Sequence, residues 1–217
     1  ANAQFPKPQS TPWLENVPGL PIHWELARIV ANRPWMPIEI PANSWGDWDA
    51  MKRVGWSIDK RIEDQIFSEG KVLPTLGADG GSAIQLTAKS PNANPIQGGF
   101  EGSSLRLSSP AIDVPTGSLV RIDGLIQVRS MSPIPQAGLL VYDSVGGPAS
   151  GSLYSSDPSN SLRWQPFTMF RFVSEREGLR IMMEVRGEGD FLVSNLRVVS
   201  LIPGLTSKFI TTPVDAP

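Results

Sequence analysis

The 217-residue chain contains no cysteine and a single histidine, and both shortages narrow its chemistry. Without thiols there is no disulfide, no thiolate nucleophile and no zinc–thiolate site. The lone imidazole, His23, stands between Ile22 and Trp24 with no local nucleophile or metal-binding partner, and reads as structural. Charge of one sign is also lacking. Nineteen Lys and Arg face 21 Asp and Glu, the net charge is -2, and no basic cluster marks a nucleic-acid surface. No apolar run approaches the roughly 20 residues of a membrane-spanning helix. There is no Gly-x-Ser-x-Gly elbow, and GADGGS (77–82) lacks the Gly-Lys-Ser/Thr of a phosphate-binding loop, so it reads as a turn.

What the chain does have is glycine (20) and proline (21), spread so that short apolar runs alternate with turns. That pattern argues for short strands rather than long helices. Six of the seven tryptophans (Trp13, Trp24, Trp35, Trp45, Trp48, Trp56) precede residue 57, and only Trp164 lies beyond. Three regions are expected: an N-terminal arm and first strand packed on the rest (1–42), a β-sandwich (43–205) and a loose tail (206–217). PIHWELARIV (21–30) reads as the first strand. Asp47 is placed to cap a short helix with Trp48 and Met51 on one face, and Gly55 to end it. The opening Ala1-Asn2-Ala3-Gln4 resembles the small-residue end of a signal peptide, so a secreted or cell-envelope location is expected.

Further strands are expected at 61–67, 82–88, 102–108, 118–129, 137–143, 163–173, 179–187 and 191–201, separated by turns such as Gly146-Gly147-Pro148 and Asp157-Pro158-Ser159-Asn160. In SLVRIDGLIQV (118–128), Val120, Ile122, Gly124, Ile126 and Val128 share an apolar face. Leu119, Arg121, Asp123, Leu125 and Gln127 form a mixed one, the signature of a strand buried on one side. Gly124 marks a bend or close approach, and Pro166 in WQPFTMFR demands a bulge or a sheet edge. The fold class is therefore all-β: an antiparallel sandwich or jelly roll with a short helix.

Several segments, in order, carry a resemblance. They are VPGLPIHWELA (17–27), SWGDWDAMKRVGW (44–56), GSSLRLSSP (102–110), VPTGSLVRIDGLIQV (114–128), GLLVYDSVGG (138–147), WQPFTMFR (164–171) and FLVSNLRV (191–198). Together, Val17 to Leu201 resembles a group of uncharacterised secreted bacterial proteins ending in a galactose-binding-like jelly roll, relatives of carbohydrate-binding modules. The resemblance implies a polysaccharide or glycan partner and one structural calcium ion. The closing strand of such modules carries an Asp-Asp pair where this chain has Ser194 and Asn195, and neutral oxygens hold a hard dication more weakly. The residues themselves call for no cofactor.

Sugar sites combine an aromatic platform with planar polar side chains. Tyr142, Asp143, Arg121, Arg171, Trp45 and Trp48 are of those types and are the candidate carbohydrate-binding residues. Against this, tryptophan in a Pro-rich segment commonly packs a core, and Tyr142-Asp143 also fits an ordinary strand end. The carboxylates Asp47 and Asp49, Glu63 and Asp64, and Glu184, Glu188 and Asp190 are the groups a glycosidase would draw on. The leading expectation is a non-catalytic carbohydrate-binding domain. The alternatives are a structural or protein-interaction domain of the envelope and a glycan-active enzyme.

Overall fold

The computed structural model describes residues 35–40, 47–60, 66–90, 103–133, 136–155, 162–173 and 178–201. The expected arm before residue 35, the strand at 21–30, His23, Trp45, Glu63, Asp64, the turn at 157–160 and the tail lie outside them.

Two antiparallel sheets face each other. The six-stranded sheet runs β3 (Phe67–Leu73), β4 (Ala83–Lys89), β11 (Gly189–Leu201), β6 (Ser118–Met131), β9 (Trp164–Val173), and β1 (Trp35–Ile38) also pairs with β11. The five-stranded sheet runs β2 (Ser57–Lys60), β5 (Ser103–Ser108), β10 (Ile181–Arg186), β7 (Gly138–Asp143), β8 (Ser152–Tyr154). From β4 onward the chain changes sheet at every connection except β7 to β8. This is the jelly-roll route.

The alternation read in β6 is the alternation found. Val120, Ile122, Ile126 and Val128 are buried in the core, while Arg121, Asp123, Leu125 and Gln127 lie half-buried on the outward face. The Phe167 ring occupies the place where a Gly124 side chain would begin, so the glycine is a close approach. Pro166 stands opposite Leu125 on β9, which pairs only with β6 among the described strands. An edge strand tolerates the missing N–H. Phe191, Ile84, Leu86, Leu105, Leu107, Leu139 and Ile181 join the β6 residues to fill the space between the sheets.

The helix α1 (Trp48–Arg53) begins where expected: Asp47 accepts a hydrogen bond from the Ala50 N–H at 2.6 Å. Met51 is fully buried, and Gly55 adopts φ 101 just past the end. The strands β1, β2, β3 and β8 were not legible in the sequence. WMPI contains a proline, SIDK and SEGK are polar, and SLY is too short to alternate. Of the run expected at 61–67, only Phe67 lies in a described strand, at the start of β3.

β11 is shared along one edge. β4 pairs with it as far as Val193 and β1 from Val198. Between them the register to β6 shifts over Ser194–Arg197, with Asn195 in the left-handed region at φ 53. The fully buried Ser194 hydroxyl accepts from the Ala78 N–H at 3.3 Å and lies 3.3 Å from the Ser82 carbonyl and 3.1 Å from Asn195 Oδ1. It ties the β3–β4 turn to the bulge.

Candidate functional site

The mixed face of β6 and the bulge of β11 build one cleft. Asp123 is its centre. Its carboxylate accepts from Arg121 Nε and Arg197 Nε, both at 3.0 Å, and from the Thr168 hydroxyl at 2.9 Å. Thr168 lies directly across from Asp123 on β9, and Arg197 directly across on β11, so three adjacent strands converge on one carboxylate. The cleft, about 580 Å³, is lined by Asp123, Leu125, Pro166, Thr168, Asn195 and Arg197 among others. Further along the same outward face Trp164 stands opposite Gln127, whose amide donates to the Leu162 carbonyl at 2.6 Å. From Trp164 to Thr168 is roughly 13 Å of strand.

The sequence-selected residues do not gather there. Only Arg121 does. Tyr142 lies on the outward face of the other sheet, 3% exposed, and donates to Glu184 at 3.2 Å. Glu184 also accepts from Arg106 Nε at 3.3 Å and Arg186 Nε at 3.1 Å. Asp143 and Arg171 lie between the sheets, 0% and 2% exposed, so neither has surface to offer a ligand. Arg171 Nε faces Asp143 Oδ2 at 2.5 Å as an ion pair without hydrogen-bond alignment. Asp143 Oδ1 meanwhile accepts from the Val145 and Gly146 N–H groups at 3.0 and 2.8 Å. The Arg171 terminal nitrogens donate to the Phe170 and Ser150 carbonyls, both at 2.7 Å. Trp48 is half-buried, packs on the core and carries the Lys52 ammonium 5.8 Å from its ring.

The carboxylates are likewise dispersed. Asp47 caps the helix and Asp49 pairs with Lys52. Glu184 belongs to the five-stranded sheet. Asp190, on the six-stranded one, accepts from Gln85 at 2.6 Å and Thr87 at 3.2 Å. For the calcium ion that the resemblance implies, the fit is poor: among the described residues no three His, Cys, Asp or Glu converge, and the Ser194 hydroxyl is committed to the β3–β4 turn. No helix among the described residues is long and apolar enough to cross a membrane.

Burial raises the Tyr142 phenol above its ordinary value of 10.0, and the adjacent Glu184 carboxylate raises it further. Burial likewise raises Tyr154. These are the only two tyrosines of the chain. A spectrophotometric titration should therefore find phenolate forming late for both, with each midpoint above pH 10 while the fold holds. Stability supported by the neutral phenols is complete below the unfolded-state value and is lost as pH rises through the folded-state values. A full tyrosine's worth of absorbance developing at or below pH 10 in the native protein would contradict this.

No protein-family model and no curated protein matches the sequence. Several solved structures do resemble it. A carbohydrate-binding module described as TmCBM61 in complex with β-1,4-galactotriose is 13% identical, with 74% of this chain covered, 97% of that one, and a TM-score of 0.43. The CBM22-1 xylan-binding domain of Paenibacillus barcinonensis Xyn10C is 12% identical, with 68% and 86% covered and a TM-score of 0.36. The likeness is one of fold. The enzymatically active domain of bacteriophage CBA120 tailspike protein 4 is 9% identical at a TM-score of 0.41; the match covers 66% of this chain but only 19% of that one. At such identities no ligand and no residue's role carries over.

Asp123, Thr168, Asn195, Arg197 and Trp164 escaped selection from sequence. The period-two pattern did place Arg121 and Asp123 on one mixed face. The bulge broke that period in β11, so Arg197 could not be assigned to the same side.

Proposed function

We propose that the chain binds carbohydrate, without catalysis, on the outward face of its six-stranded sheet, and that it acts outside the cell or at its surface. One observation carries this reading: polar groups from three strands, the guanidiniums, carboxylate and amide of β6 and β11 and the Thr168 hydroxyl of β9, surround a shallow cleft of about 580 Å³, with Leu125 and Pro166 supplying apolar walls. Binding sites for small ligands combine such apolar surface with a few fixed polar groups. Trp164, further along the same face, adds the flat apolar surface against which the C–H face of a sugar ring packs.

Screening the purified protein on an array of plant, algal and bacterial glycans tests the reading. A hit is expected, and Trp164→Ala should weaken it about tenfold, equivalent to about 1.4 kcal/mol, with an unchanged circular dichroism spectrum. Silence across the array would favour the envelope interaction domain instead. Retention of full affinity by the Trp164 variant would move the site off this face.

A further inference from the structure

The unspent hydrogen-bonding capacity of the cleft is lopsided. Asp123 is the only carboxylate among its lining residues, and its oxygens already receive Arg121, Arg197 and Thr168. Arg197 is held by Nε alone. Its side chain is 65% exposed, and its two terminal amino groups bond nothing among the described residues. Asn195, two residues earlier and exposed, turns its amide oxygen to the Ser194 hydroxyl, and its NH₂ end bonds nothing among the described residues. The Thr168 hydroxyl has given its proton to Asp123 and retains only acceptor capacity, suited to a sugar hydroxyl.

The lip of the cleft thus offers a guanidinium and an amide as donors. Two guanidiniums share one carboxylate, so the local charge is positive although the whole chain is acidic. Holding Arg197 by Nε also fixes its plane and leaves the pair of terminal nitrogens as a fork. A planar fork of N–H donors matches a planar carboxylate in two parallel hydrogen bonds. A neutral sugar hydroxyl would use one of those donors and leave the charge unanswered.

Resting on the carbohydrate reading above, we infer that the preferred ligand is an acidic glycan, and that Arg197, with Asn195 beside it, receives the carboxylate of a uronic acid residue. The test is calorimetric titration with polygalacturonate and with alginate, each against its carboxyl-esterified form, so that only the charge and its planar oxygens change. At least one free acid should bind about tenfold more tightly than its ester. Arg197→Gln should abolish that preference, and Arg197→Lys should not restore it, because an ammonium has no fork. Arg197 is exposed, so circular dichroism should be unaltered in both variants.

Equal affinity for acid and ester overturns the inference, as does a preference that survives Arg197→Gln. Tighter binding of dextran sulfate than of either uronate also overturns it, since the attraction would then be charge alone. If the uronates fail while neutral glycans on the array bind, the acidic preference falls and the carbohydrate reading stands. If nothing binds, both fall.

Discussion

Arg171→Ala should destabilise the protein by about 3–5 kcal/mol, read as a lower denaturant midpoint at unchanged slope. The size of the effect comes from what is left behind. Asp143 is completely buried, and among the described residues its second oxygen has only the guanidinium to face. With the arginine gone, an ionised carboxylate would remain between the sheets with no countercharge. The Phe170 and Ser150 carbonyls would lose donors as well. For a domain whose total stability is about 5–15 kcal/mol, that is a large share. The double variant Arg171→Met with Asp143→Asn should be much less costly than the sum of its parts. The asparagine carbonyl still receives the Val145 and Gly146 N–H groups, and no charge is stranded. Additive losses would mean that the pair does not act as a unit.

Phe191→Ala should cost a comparable amount, about 3–5 kcal/mol, for a different reason. Phe191 is fully buried at the middle of the six-stranded sheet, with Leu86 beside it on β4 and Val128 on β6. Its ring also fills the space that a side chain on Gly189 would need, so β11 cannot slide or repack cheaply into the void. Phe67 is the matched control. It is 45% exposed at the sheet edge beneath the Lys89 ammonium, and its replacement by alanine should change stability by no more than about 0.5 kcal/mol. Urea unfolding of both variants against the wild type measures the contrast. Similar losses at the two positions would mean that β11 does not anchor the core.

What the sequence made legible was periodicity and capping. The two faces of β6 and the Asp47 cap each follow from a local rule acting within a few residues, while such rules left Gly124 as a bend or a close approach and Pro166 as a bulge or an edge, between which the structure decides. The site did not follow from such rules. Tyr142, Asp143 and Arg171 have the right chemistry for a sugar surface, yet residue type says nothing of which side of a strand faces water near its end. Asp143 and Arg171 fall in phase with the core residues Val141 and Met169, a parity the pattern contained but their polarity masked. Arg197 was obscured in the opposite way. The one extra residue of the bulge resets the phase of β11, and the pairing with Asp123 shows on which face Arg197 emerges.

The order of the strands has a consequence for biosynthesis. β11 is flanked by β4 and β1 on one side and β6 on the other, and β10 lies between β5 and β7. The last two described strands are thus interior members of the two sheets. On a ribosome, neither sheet can close until residues 181–201 have emerged. Until then β1, β4 and β6 lack their β11 partner, and β5 and β7 lack β10. Such far-separated pairings slow folding, and the open strand edges of the incomplete chain favour aggregation until they are paired.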